Sequence, residues 1–383
     1  MPSTPPFTPR RSGSCSGICV PLTIWDGKAI SVPSNSRVTQ VVTQLEPAGA
    51  QSIAAWLEAS GVVNSGTLFL YEKAQSDLFP DPKLLLETRP KNPAGALKMV
   101  RATSRWAKSC SEGEVLLAHT HYAIVFAALV GRLARKGVKT VAVHHWPEDR
   151  YPRGARAGVR LARRLGCFAA EIYCSAAVAP RGAKVIPNPV PNTDRALGGV
   201  ADGHPVDILV VARHAEEKAL DTALRALALL PDDRTITFVG GGPDTDELKA
   251  LAKGLGVSDR AHFVGRMDND AVRALMANCT AFLLPSRWEA MPVSLLEAVA
   301  MDADIVVSNI AAHDFLTDEG AAVAFEVDRA ELLARALESL DATTRESLAR
   351  GRVAVRSSLS EVAVARKWQS FLRDLDADER GCA

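Results

Sequence analysis

The feature that most narrows the fold is an alternation that runs twice along the chain. From Arg37 onward, short β-branched runs alternate with Ala/Leu/Arg-rich helical stretches. Val38–Thr43 reads as a strand, followed by a turn through Pro47 and Gly49 and a helix near Gln51–Ser60. Further strands are predicted at Thr67–Tyr71, Val115–Ala118, Thr140–Val143, Glu171–Cys174 and Lys184–Ile186. Helix-length segments between strands point to crossover connections, and crossovers make parallel sheets. The run Pro187-Asn188-Pro189-Val190-Pro191-Asn192, continuing to about Gly203, breaks the pattern and reads as a linker. The alternation then restarts at Asp207–Ala212, Thr235–Val239, His262–Val264, Ala281–Leu284, Asp304–Val307 and Val323–Phe325. The expected fold is α/β, with two doubly wound, Rossmann-like domains at residues 37–193 and 204–358 facing a cleft. In the last helical stretch, Glu361–Leu375, residues Val362, Ala365, Trp368 and Leu372 share one face. Residues 359–377 are therefore expected to return to the N-terminal domain and pack on it.

Composition supports this plan. A chain of 383 residues is long enough for two cores, and 47% hydrophobic with 23% charged residues is ordinary for a soluble globular protein. The formal net charge of +1 carries no global nucleic-acid signal. The seven cysteines are odd in number and form no Cys-x-x-Cys pair, so they read as reduced thiols of a cytoplasmic protein. Residues 1–36 are rich in Pro and Ser, and their apolar patch Ile18–Ile24 is broken by Pro21. They are read as a disordered extension rather than a secretory signal.

Chemistry-bearing residues cluster just after strands of the second domain, where open α/β sheets bind ligands. Arg213 and Lys218 follow strand Ile208–Ala212 beside a helix start, an arrangement that suits a phosphate or diphosphate. Gly240-Gly241-Gly242-Pro243 follows strand Thr235–Val239, where glycines allow close backbone approach. It is neither Gly-x-Gly-x-x-Gly nor a P-loop, which disfavours a nicotinamide dehydrogenase or a P-loop kinase. Gly265-Arg266-Met267 follows a third strand. Glu289 and Glu297 follow a fourth, in the run Pro285-Ser286-Arg287-Trp288-Glu289-Ala290-Met291-Pro292-Val293-Ser294-Leu295-Leu296-Glu297-Ala298. Two acceptor-only carboxylates at a strand-to-helix turn suit a hydroxyl-rich ligand such as a sugar or ribose. Taken alone, the pair fits an ordinary helix N-terminus better, since Glu there complements the helix dipole. Four such loops in one domain reverse that balance.

The order and spacing of these loops resemble retaining glycosyltransferases of the GT-B fold, in the large family-four group. The resemblance covers roughly residues 37–372 and rests most specifically on the Glu-x7-Glu run from Glu289 to Glu297. It implies that Arg213 and Lys218 hold a donor diphosphate, Glu297 the ribose, and the Gly265–Met267 backbone the base. It implies that Glu289 contacts the transferred sugar, with backbone N–H groups of Ala290, Met291, Pro292 or Val293 near sugar and phosphate; of these, proline has none to offer. In the first domain, Glu46-Pro47-Ala48-Gly49-Ala50-Gln51 is similar to the family's glycine loop, with Ala48 in place of a glycine. His144 matches the family's histidine near the reacting carbon, and the adjacent His145 could exchange roles with it. Ala290 stands where glycine is frequent, and Asp302-Ala303-Asp304 replaces a Gly-x-Pro.

The implied activity is retaining transfer of a hexosyl group from a nucleotide sugar, UDP-linked before GDP-mannose, with no metal or other cofactor. The acceptor is open among glycans, lipid-linked sugars and natural products. Competing readings are a nucleotide-sugar epimerase or hydrolase, and a catalytically silent binding partner on the same fold. His119 and His121, with His145, are candidates for lining the acceptor side. The pattern Asp302-x-Asp304 recurs elsewhere in the chain and carries no metal information. Between Arg132 and Arg164 there are ten Lys/Arg against two Asp/Glu. A solvated helix face explains this segment most simply; peripheral contact with the inner face of a membrane is the functional reading.

Overall fold

The computed structural model describes residues 37–45, 49–72, 78–79, 82–89, 93–134, 136–192 and 206–377. The expected N-terminal extension, the Glu46–Ala48 part of the glycine loop and linker residues 193–203 lie outside the described residues.

The first domain contains β1 (Val38–Leu45), α1 (Gly49–Ala59), β2 (Thr67–Glu72), β3 (Lys83–Leu86), α2 (Pro93–Ser109), β4 (Val115–His119) and α3 (His121–Ala134). It continues with β5 (Lys139–His144), α4 (Arg153–Arg164), β6 (Ala170–Tyr173) and β7 (Lys184–Val185). Its seven strands run parallel in the order β3-β2-β1-β4-β5-β6-β7. Central strands are covered on both faces, which is why they read as continuous apolar runs. Along β4, Leu116 and Ala118 face a layer of α2, α3 and α4, while Val115 and Leu117 face the opposite side. Sequence patterning missed β3 and α2. The Lys83–Leu86 edge strand is only four residues long and lacks the β-branched run of the central strands.

The second domain contains β8 (Val206–Val211), α5 (Leu220–Leu227), β9 (Ile236–Val239), α6 (Thr245–Gly254), β10 (Ala261–Gly265), α7 (Asn269–Asn278) and β11 (Cys279–Leu284). It ends with α8 (Val293–Ala300), β12 (Ile305–Ser308), α9 (Asp314–Thr317), β13 (Ala322–Phe325), α10 (Ala330–Glu338) and α11 (Ala342–Ser358). Its six strands are parallel in the order β10-β9-β8-β11-β12-β13. The strand order reverses between β8 and β11, and that switch point is where such sheets open a crevice.

The last helix, α12 (Glu361–Ala377), returns to the first domain as expected. Val364, Ala365, Trp368, Phe371 and Leu372 pack against Val115, Leu117, Val143 and Ile172. Each large side chain so buried contributes about 1.5–3 kcal/mol. Val362 is only half-buried and Val364 takes the core position instead, so the apolar face is rotated from the expected one. The outgoing and returning chains run side by side: Val190 N donates to the Leu359 carbonyl at 2.8 Å, and Val190 bridges Ser360.

Candidate active site

The loops after β8, β9 and β10 are tied edge to edge. His214 N donates to the Gly241 carbonyl at 3.2 Å, and Gly240 N to the Gly265 carbonyl at 2.8 Å. The glycines serve this packing first. A Cβ on Gly240 would stand 2.0 Å from the Ala212 carbonyl oxygen, and one on Gly242 2.1 Å from that of His214. Only Gly241 of the three faces open space, so the run approaches its neighbouring loop more than a ligand. Arg213 is exposed and forms no ion pair among the described residues. Gly265 holds a left-handed φ of 78°, and Arg266 and Met267 after it are exposed.

Lys218 ends a short 3₁₀ turn, Glu216–Lys218, ahead of α5 rather than opening the α-helix itself. Its ammonium pairs with the Glu289 carboxylate, whose same oxygen accepts from Ser286 Oγ at 2.8 Å. Lys218 is 18% and Glu289 10% exposed, so the pair is mostly buried yet still open to solvent. Arg287 clamps this loop in place. It donates to both carboxylate oxygens of Asp221 at 3.0 and 3.1 Å and pairs with Asp328 at 2.8 Å. Burial works against its charge, but those two carboxylates outweigh it and hold the guanidinium pKa above its ordinary value.

A second line of support comes from β12. Ser308 Oγ donates to the Ser286 carbonyl at 2.5 Å, and His313 Nδ1 lies 2.8 Å from the Ser308 carbonyl. His313 is fully buried, and burial lowers its pKa while Glu289 and Lys218 act on it in opposite senses. The neutral ring donates from Nδ1, which leaves the buried Nε2 without a partner. Sequence reading missed Ser286, Arg287, Ser308 and His313 as site residues. Ser308 ends the strand beside β11, so the strand-end rule could have found it.

Glu297 lies on α8, 3.7 Å from Arg273 on α7. Burial raises its pKa, with Arg273 pulling the other way. The first turn of α8 has Pro292 at its cap position and no side-chain cap, as have α5 and α6. By contrast, Asp268 and Asp341 cap α7 and α11. Across the crevice, a Cβ on Gly49 would stand 3.1 Å from Val293 Cγ2, so the start of α1 faces the start of α8. Trp146 and Trp288 meet edge to face at 5.5 Å, and Asn188 Nδ2 donates to the Met291 carbonyl at 3.3 Å. The Ala290–Val293 stretch is thus wedged between the domains.

The first domain's histidines are placed differently from the expectation. His144 is fully buried, with Nδ1 2.9 Å from Tyr151 Oη and Nε2 3.0 Å from Glu171 Oε2. Both nitrogens are engaged within this packed cluster. His119 is also fully buried, its Nδ1 2.8 Å from His145 Nε2. Burial pushes both pKa values down, that of His145 to about 4, so the pair is neutral. His119 is thus enclosed in the interior, whereas half-buried His121 packs on Tyr122 and Tyr151 nearer the surface. Asp302 and Asp304 are held by Arg352, Arg356 and Arg345, which accounts for that pattern structurally. A hollow of about 580 Å³ lies apart on the first domain, lined by Glu148, Arg163, Glu171 and Tyr173 among others.

Two facing doubly wound domains, with a cation and a carboxylate paired at the switch point of the second, define the GT-B architecture. Among solved structures, Anabaena HepE in complex with UDP-glucose has a TM-score of 0.73 at 18% identity, covering 88% of this chain and 99% of that one. WaaG, a glycosyltransferase involved in lipopolysaccharide biosynthesis, gives 0.62 at 14% identity over 87% and 99%. Residues 199–350 match the family described as glycosyl transferases group 1. Among curated proteins, the 2-deoxystreptamine glucosyltransferase of Streptomyces kanamyceticus is 35% identical over 126 residues, 32% of each chain. The lipopolysaccharide core biosynthesis glycosyltransferase LpsE of Rhizobium meliloti is 29% identical over 169 residues, 43% of this chain and 49% of that one. The chain thus matches between a quarter and a half of the length of such relatives.

Proposed function

We propose that this protein is a glycosyltransferase that moves a hexosyl group from a nucleotide sugar to an acceptor hydroxyl, with retention at the anomeric carbon. The observation that carries the reading is the Lys218–Glu289 pair at the β8/β11 switch point, braced by Ser286 and Arg287. A diphosphate needs the cation, a sugar needs the acceptor-only carboxylate, and the two are already oriented together. UDP is the favoured nucleotide, supported by the UDP-glucose complex of HepE.

In the reaction, the bond between the anomeric carbon and the diphosphate oxygen breaks, and the acceptor oxygen bonds to that carbon. The acceptor proton passes to the departing diphosphate oxygen. Lys218 and Arg213 stabilise the negative charge that develops there, which is electrostatic catalysis. Glu289 orients the sugar and supports its positive character, while Glu297 accepts from the ribose. The reading requires no metal or cofactor.

The test is thermal unfolding with UDP, GDP and ADP and their sugars, because a ligand that binds the native state raises its apparent stability. UDP and UDP-sugars are expected to stabilise most, and no shift with any nucleotide overturns the reading. Incubation with donor alone separates a transferase from an epimerase or hydrolase, which would convert the donor without acceptor.

A further inference from the structure

Helices α2, α3 and α4 lie side by side over one face of the first sheet. Together they carry ten Lys and Arg and no Asp or Glu, so the rest of the chain has a formal net charge of −9 against +1 for the whole. Part of this charge is neutralised locally. Arg160 and Arg163 pair with Glu148, Arg163 also pairs with Glu171, and Arg156 donates to the Asp149 carbonyl.

The remainder points outward. Lys98, Arg101, Arg105 and Lys108 form one stripe along α2, away from buried Ala102, Thr103 and Ala107. Arg132 on α3 and Arg153 and Arg164 on α4 are likewise exposed. None of these seven makes an ion pair with a described residue. Among them stand large apolar side chains at i,i+4 spacing: Leu129 and Leu133 are each 50% exposed, Leu161 57% and Leu165 59%. Unpaired like charges repel and exposed leucines cost hydration, so a face combining both is suited to a partner that satisfies both.

We propose that the outer face of α2–α4 docks on an anionic phospholipid bilayer. Leucines enter the headgroup boundary while the surrounding cations meet lipid phosphates. A second copy of this chain fits poorly, since face-to-face pairing would set the same free cations against each other. Nucleic acid would engage the cations but leave the leucine pairs uncovered. No described helix is long and apolar enough to cross a membrane, so the contact is peripheral. Tyr122, 38% exposed in the first turn of α3, stands where this face meets the strand ends that line the cleft. The surface extends the basic 132–164 segment by α2. It does not depend on the glycosyltransferase reading.

Flotation of the full chain with phosphatidylcholine vesicles, with and without phosphatidylglycerol, tests it. Binding is expected to be at least roughly tenfold greater with phosphatidylglycerol and to fall as salt screens the surface. The double variant Arg101→Gln/Arg105→Gln should lower that binding on the order of tenfold. Leu129→Ser/Leu161→Ser should lower it several-fold with an unchanged unfolding temperature. Equal binding to both vesicle types, or anionic binding that neither variant affects, overturns the proposal. So does a doubled mass by light scattering, or capture by single-stranded RNA, without vesicle binding.

Discussion

The two domains share a folding plan but use the same position, the end of a central strand, in opposite ways. After β8 and β11, Arg213, Lys218 and Glu289 remain at the surface of the crevice, with their loops fastened from behind by Arg287 and Ser308. At the ends of β4 and β5, His119 and His144 are fully buried and bonded inward. The difference lies in where polarity is satisfied. In the second domain Arg213 is exposed and the Lys218–Glu289 pair stays partly exposed, whereas the first domain encloses both histidines completely. Strand-end position alone therefore does not identify a site; the bonding state of the side chain does.

The comparison can be broken most forcefully at Glu289. Glu289→Ala should reduce transfer by about 10²–10³-fold while UDP still raises the unfolding temperature, measured by product formation and thermal shift on one preparation. Full activity in that variant would remove Glu289 from the chemistry. Lys218→Ala should weaken UDP binding by roughly ten- to a hundredfold, the worth of a charge-assisted hydrogen bond, as read by calorimetry. Unchanged affinity would mean that the cation serves only to hold Glu289.

His144→Phe probes the other domain. It should cost about 1–3 kcal/mol of stability by stranding Tyr151 and Glu171, with little change in kcat for the folded fraction. A large loss of kcat at an unchanged unfolding temperature would restore the catalytic role that the resemblance implied. The smallest effect concerns pH. Burial opposes ionisation of Glu171, but Arg163 and His144 overcome it and hold the carboxyl pKa down at about 2, against an ordinary 4.5. A depressed carboxyl pKa stabilises the fold above the ordinary value, and that contribution is lost as pH falls from 4.5 towards 2. The stability gap between the protein and Arg163→Gln should therefore narrow across that window in chemical denaturation. A gap that stays constant would detach the pair from the cluster.

Much of the architecture was legible in the sequence because parallel strands buried on both faces must be apolar runs, and the proline-rich break at 187–192 interrupts them. The strand-end loops of the second domain were legible for the same reason: position after a strand is a property of the sequence. What could not be read was side-chain bonding. His144 and Glu171 lie 27 positions apart and Lys218 and Glu289 71, and no local pattern says that either pair will meet. The packing role of Gly240 and Gly242 was hidden for a related reason, since the backbone they approach belongs to a loop about 30 residues earlier.

The returning helix α12 has a consequence for how the molecule is made. Trp368, Phe371 and Leu372 complete the core beneath β4 and β5, yet they are synthesised after the whole second domain. On the ribosome, the first domain must wait with one sheet face only partly covered, by Ile53 and Leu57 of α1, while the second has all its strands. The usual order, in which N-terminal domains finish first, is thereby inverted. A chain that stops before residue 361 would lose its first domain's shield rather than a dispensable tail.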